Sequence, residues 1–215
     1  MVTINKHPLF TEEVYSFKMP NHDFWKKEID TIINIESNSV HNLSSKPPQK
    51  ETNIRATRTA WDSHLRYPSL KNLSQEINNI LKMFVETEGF DIPHINVFDC
   101  WINWYGKNEF AVPHHHGLNI AFVYFVDVED TDASFLFHNR TSMSFKKKQE
   151  NGEYKNDIKK IKAKNGTCLF FSGSLLHSVS PNLSNKIRKT LAMNFEVSRE
   201  VDISSVIKSS GDKDV

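Results

Sequence analysis

From Ile92 onward the chain repeats a single pattern: short runs rich in Val, Ile, Phe, Tyr and Trp, broken by Gly, Asn, Asp or Pro. The runs are Ile95–Tyr105, Phe110–His116, Asn119–Val128, Ala133–Phe137, Thr167–Ser172 and Ile187–Val197. Spacing of this kind predicts a mainly β fold, a sandwich or barrel of antiparallel strands. The first third reads differently. Trp25, Ile29, Ile32 and Ile33 recur at helical spacing, and a stronger stripe follows Tyr67-Pro68-Ser69: Leu70, Leu73, Ile77, Ile80, Leu81, Phe84 and Val85. Glu88-Gly89 should end that second helix. The expectation is a pair of N-terminal helices packed on the outer face of one sheet. Between them, Ser37 to Thr59 is polar, contains Pro47-Pro48, and should be loop with room for one short strand.

With 215 residues the chain suits one domain, divided into a helical support region (1–91), a β core (92–200) and a polar tail (201–215). Asn139 to Lys164, which includes Lys146-Lys147-Lys148 and Asn151-Gly152, reads as either a long hairpin or a flap. Lys and Arg number 27 against 26 Asp and Glu, so charge gives no reason to expect a nucleic-acid or membrane partner. The only cysteines, Cys100 and Cys168, sit in apolar runs and read as buried thiols in a reducing compartment. No apolar run approaches the ~20 residues of a membrane span, and Met1 to Lys6 lack the apolar segment of a signal peptide. A cytoplasmic protein is the expectation; the oligomeric state is not legible.

The ten histidines carry the chemistry. His114 and His116, in Pro113-His114-His115-His116-Gly117, close one strand run and share a face, with His115 on the other. Two imidazoles at i and i+2 can reach one metal ion, and a third from a distant strand would leave positions open for substrate and oxygen. His177, beyond the Thr167–Phe171 run and the Ser172-Gly173-Ser174 turn, is the candidate third ligand. Eleven residues further on comes Arg188. Alternation sets Arg188, Thr190, Ala192 and Asn194 on one strand face, and Lys189, Leu191, Met193 and Phe195 on the other. If the first face is inward, its guanidinium needs an anion, and a carboxylate-bearing ligand would supply one through a bidentate contact assisted by Thr190.

These segments resemble the iron(II)- and 2-oxoglutarate-dependent oxygenases, and more narrowly a family of such oxygenases with unassigned substrate. The resemblance rests on Trp101-Ile102-Asn103, His114-His115-His116, Phe122-Val123-Tyr124-Phe125, Phe171 to Pro181 and Arg188 to Asn194, in that order, with Leu9-Phe10 and Trp61 as possible extensions. It implies a double-stranded β-helix, the jelly-roll or cupin-like barrel. It also implies Fe(II) held by His114, His116 and His177, and 2-oxoglutarate held at its far carboxylate by Arg188 with Thr190. Asn103 and Tyr105 are weaker candidates for the cosubstrate pocket. Where prolyl-hydroxylase-like members have two adjacent tyrosines, this chain has Tyr124-Phe125, without the second hydroxyl. The superfamily usually has a carboxylate at the position of His116. The implied activity is hydroxylation of a small molecule or peptide. Two alternatives stay open: a cupin-like metalloenzyme that does not use 2-oxoglutarate, and an inactive jelly-roll binding protein.

Overall fold

In a computed structural model, residues 12–38, 54–92, 94–117, 120–129, 134–139 and 158–198 are described. Leu9-Phe10, the Lys146–Lys148 run and the 201–215 tail lie outside them. The described residues form two antiparallel sheets. The larger sheet orders its strands β1 (Val14–Lys18), β9 (Thr167–Ser172), β6 (Ile120–Asp127), β11 (Arg188–Ser198), β4 (His94–Tyr105) and β3 (Thr57–Arg58). The smaller orders β2 (Ile54–Arg55), β5 (Phe110–His114), β10 (His177–Val179), β7 (Ser134–His138) and β8 (Ile158–Lys162). This is the expected jelly-roll. Strands distant in sequence become neighbours: β11 lies between β4 and β6, and β10 between β5 and β7.

Both expected helices are present, α1 (His22–Asn38) and α3 (Pro68–Glu88), with a single-turn α2 (Ser63–Arg66) between them. Pro68 opens α3 at a position where a missing N–H costs nothing. Gly89, at φ 73°, closes it in a left-handed conformation that residues with a side chain rarely adopt. Their apolar stripes cover the outer face of the larger sheet. Ile29, Ile32, Leu73, Ile77 and Leu81 join Ile102, Phe122, Tyr124, Leu191, Met193 and Phe195 in one buried cluster. A second cluster fills the space between the sheets, with Phe125, Phe135, Phe137, Leu169 and Phe171 at its centre. Both cysteines are free and buried, and burial raises both thiol pKa values.

Three features depart from the sequence expectation. The N-terminal region is more than helical support, because β1 adds an edge strand against β9 and Ile54 to Arg58 supplies β2 and β3, one to each sheet. A five-residue edge strand and two-residue strands are too short for periodicity to reveal. Of the two readings of 139–164, its described part favours the hairpin, since β8 pairs antiparallel with β7. The β11 alternation is right but its consequence is richer: Arg188, Thr190 and Asn194 are buried on one face while Leu191, Met193 and Phe195 are buried on the other.

Because the helices complete the core of the larger sheet, truncating one should weaken the whole fold. Ile77→Ala, at a fully buried position, should lower unfolding free energy in urea by about 2–5 kcal/mol. Met83→Ala, on the exposed face of the same helix, should change it by less than about 0.5 kcal/mol.

Candidate metal and cosubstrate site

The smaller sheet brings the three histidines together. His177 on β10 is the direct cross-strand partner of His114 on β5, so their imidazoles share a face. His116 lies two residues beyond, where its backbone N–H donates to the Gly173 carbonyl at 2.7 Å and ties this loop to the turn before β10. The ring centroids stand 4.3 Å apart for His114 and His177, 5.0 Å for His116 and His177, and 5.1 Å for His114 and His116. One nitrogen of each ring lies within 4.8 Å of the others. His115, as alternation requires, is exposed and apart.

Two details leave these rings able to serve as ligands. Nδ1 of His114 is 2.8 Å from the Val112 carbonyl, and Nδ1 of His177 is 2.8 Å from the Leu175 carbonyl. A carbonyl can only accept, so each Nδ1 carries the proton and each Nε2 keeps its lone pair. Burial also disfavours the charged imidazolium. It lowers His177 to about 3 and His116 to about 4, with neighbouring histidines adding to the effect, and it lowers His114 in the same direction. Three neutral imidazoles suit a first-row divalent ion. Phe135 stacks on His177 at 5.2 Å and Phe171 meets it edge-on at 4.9 Å, giving the cluster an apolar wall.

The larger sheet supplies the other side of the cavity. Arg188 is the cross-strand partner of Tyr105, Thr190 of Asn103, and Ala192 of Trp101, so β4 and β11 present one continuous ladder. The three histidines, Trp101, Asn103, Tyr105, Arg188 and Thr190 all line the same cavity. Trp101 approaches His116 at 6.1 Å, while Tyr105, four residues along the strand, lies under the Arg188 guanidinium at 4.6 Å. The ladder thus spans roughly 13 Å from the imidazole end to the guanidinium end.

Arg188 is 2% exposed, and no carboxylate among the described residues pairs with it. Nη2 donates to the Ser180 carbonyl at 2.6 Å, but Nε and Nη1 have no partner. Burial lowers its pKa from the ordinary arginine value. Tyr105 is raised to about 12, chiefly by burial, so its hydroxyl stays protonated at neutral pH. A buried cation with two unused donors, lining the same cavity as the three imidazoles, suits the far carboxylate of a dicarboxylic acid. The residues present therefore suit both a divalent metal and 2-oxoglutarate.

The sequence marks Arg188, Thr190, Asn103 and Tyr105 of this ladder as site candidates, but not Ala192, nor Trp101, which enters only as part of a motif. It shares the period-two face of Asn103 and Tyr105, a signal that would have found it. Phe135 and Phe171 were also missed as site walls, since an apolar strand residue looks the same whether it faces a core or a cofactor. Phe125 lines the cavity without a hydroxyl, whereas the Tyr124 hydroxyl turns away to His22 Nδ1 at 2.6 Å.

Residues 99–194 match the model of a family described as "Putative 2OG-Fe(II) oxygenase". No curated protein matches the sequence. Among solved structures, a prolyl-4-hydroxylase from Pseudomonas putida is 12% identical and superposes with a TM-score of 0.59, covering 88% of this chain and 95% of its own. The viral collagen prolyl hydroxylase of Paramecium bursaria chlorella virus-1, in complex with 2-oxoglutarate, is 12% identical with a TM-score of 0.52, covering 85% and 94%. HygX from Streptomyces hygroscopicus, with nickel and 2-oxoglutarate bound, is 11% identical with a TM-score of 0.56, covering 86% and 83%. At such identities the likeness is one of fold.

Buried neutral histidines also leave a mark on stability. The folded chain takes up no proton at these rings as pH falls through the ordinary imidazole range near 6.5, while the unfolded chain does. Stability of the metal-free protein should therefore fall between pH 7.5 and 5.5. Removing one such ring should remove its share: by urea titration, His177→Gln should lose roughly 1.4 kcal/mol less over that interval than the unaltered protein. Equal losses would show that His177 protonates normally in the folded state. The segment that carries all three histidines and Arg188 is the one that matches the oxygenase family model.

Proposed function

We propose that His114, His116 and His177 hold iron(II) through Nε2, that Arg188 and Thr190 hold the far carboxylate of 2-oxoglutarate, and that the protein hydroxylates a small molecule or peptide. The observation that carries this reading is the buried Arg188, with two unpaired donors in the same cavity as three neutral imidazoles. A metalloenzyme with no need of a dicarboxylic acid leaves that cation without a purpose. Asn103 and Tyr105 line the cosubstrate pocket between the two ends. In this reading residues 1–215 form one domain, the region before residue 92 supporting the β core, and the protein acts in the cytoplasm with neither nucleic acid nor membrane as partner. No helix among the described residues is long and apolar enough to cross a membrane.

When bound, the iron supplies the oxidising chemistry that activates dioxygen at the expense of 2-oxoglutarate. The chain's own residues bind, orient and exclude water. The Val112 and Leu175 carbonyls fix the tautomers of His114 and His177 and hold their rings in place. The Tyr105 ring and the Ser180 carbonyl hold the Arg188 guanidinium before any ligand arrives, so little reorganisation accompanies binding. Thr190 and Tyr105 offer hydroxyls beside it. Phe125, Phe135 and Phe171 keep the cavity apolar, which strengthens every charged contact made inside it.

The donor set has a consequence for charge. With histidine where the superfamily usually has a carboxylate, the protein neutralises none of the metal's two positive charges. The near end of 2-oxoglutarate then carries more of that task, so metal retention should depend on the cosubstrate.

Anaerobic addition of 2-oxoglutarate to the iron(II)-loaded protein should produce a visible charge-transfer band. Arg188→Met should keep the iron but weaken 2-oxoglutarate binding by at least ~30-fold, the cost of removing one partner of a buried charged pair. No band with iron verified as bound, or unchanged affinity in the variant, would refute the reading.

A further inference from the structure

A second cation stands near the imidazole end of the cavity, at its rim rather than among the lining residues. Arg58 on β3 lies directly opposite Asn103 of β4. Directly opposed residues of an antiparallel pair share a face, and the Asn103 face is the one that lines the cavity. The Arg58 guanidinium sits 4.0 Å over the Trp61 ring, Trp61 meets Trp101 edge-on at 4.4 Å, and Trp101 stands 6.1 Å from His116. A guanidinium and two indoles therefore run outward from the candidate metal ligands, at the opposite end of the β4 ladder from Arg188.

Nothing within the described protein neutralises this cation. No ion pair or side-chain hydrogen bond among the described residues involves Arg58. Asp62, the nearest acid in sequence, is engaged by Arg66 at 2.7 and 3.1 Å. Asp99 accepts from Asn194 Nδ2 at 3.0 Å. Partial burial of Arg58 depresses its pKa without compensation. Two neighbouring polar atoms are also unused: the indole N–H of Trp101, 2% exposed, and Oδ1 of Asn103, 3% exposed. Stacking on Trp61 accounts for where Arg58 rests, yet it leaves the buried indole N–H of Trp101 unexplained. A donor, an acceptor and a forked cation around an aromatic floor make a recognition site for an acid with an apolar body.

We propose that Arg58, Trp61 and Trp101 form the subsite for the substrate to be oxidised, and that this substrate is a small carboxylic acid. Its carboxylate pairs with Arg58 and its apolar body rests on the two indoles, so the part beyond the carboxylate approaches His116. That the occupant is the oxidised substrate rests on the function proposed above; the preference for an anion does not.

The test titrates zinc-loaded, 2-oxoglutarate-saturated protein with 3-phenylpropionate and with 3-phenylpropionamide, a pair alike in shape and different in charge. The indole N–H signals of Trp61 and Trp101 report binding by NMR. The acid should bind at least ~10-fold more tightly than the amide, as expected for a charge-assisted contact. Arg58→Gln should bring the two within about twofold while leaving 2-oxoglutarate affinity, measured by calorimetry, within about twofold of normal. Equal affinities in the unaltered protein, or a preference that survives Arg58→Gln, would overturn the proposal. So would a preference that disappears in Arg188→Met but persists in Arg58→Gln, because the probe would then occupy the cosubstrate end. If the glutamine variant does not fold, the acid-against-amide comparison in the unaltered protein and the response of the Trp61 signal decide the matter. Failure of 2-oxoglutarate itself to bind would refute the proposed function, while the same probes on zinc-loaded protein would still read Arg58.

Discussion

A guanidinium taken out of water is costly unless something negative meets it, and in this fold the cost is left standing. Arg188 receives one backbone carbonyl and the face of Tyr105. No carboxylate among the described residues approaches it. Folding must therefore carry an uncompensated charge inside a cavity walled by phenylalanines, and the stability to do so comes from elsewhere. The elsewhere is visible. The opposite face of β11, the strand that bears Arg188, is sealed by Leu191, Met193 and Phe195 under the two helices. Lys189, the intervening residue, is tied to Asp30 of α1 at 2.7 Å. One strand thus has a face that stabilises and a face that lines the cavity.

The same division explains the jelly-roll's use here. Two sheets are needed because the site has two unlike ends: neutral imidazoles on the smaller sheet, a cation on the larger. Pairing β10 with β5 sets His177 beside His114 although 62 positions separate them in sequence. Pairing β11 with β4 sets Arg188 beside Tyr105. Each end depends on one cross-strand register, and a slip of one residue would turn either set of side chains away from the cavity.

How much of this the sequence discloses depends on the length scale of the signal. Twenty-one residues of α3 carry their own period, their starting proline and their closing glycine, so that helix is legible without any partner. The inward face of β11 is legible only in company: an arginine, a threonine and an asparagine alternating with Leu, Met and Phe equally suit a strand with one solvent face, and the three histidines are what make the polar face read as inward. β1, β2 and β3 are not legible. They exist because a neighbouring strand offers hydrogen bonds, and two to five residues hold no period of their own. Arg58 escaped for the same reason: its place at the cavity's rim follows from a two-residue strand.

The proposed function requires one ion shared by three rings and one carboxylate held by Arg188. Crystals grown anaerobically with iron(II) and 2-oxoglutarate, with anomalous scattering measured at the iron edge, examine both at once. A single iron peak is expected among the Nε2 atoms of His114, His116 and His177, with a dicarboxylate whose far end meets Nε and Nη1 of Arg188. Iron held elsewhere, or a dicarboxylate that leaves those two nitrogens bare, would contradict the proposed function.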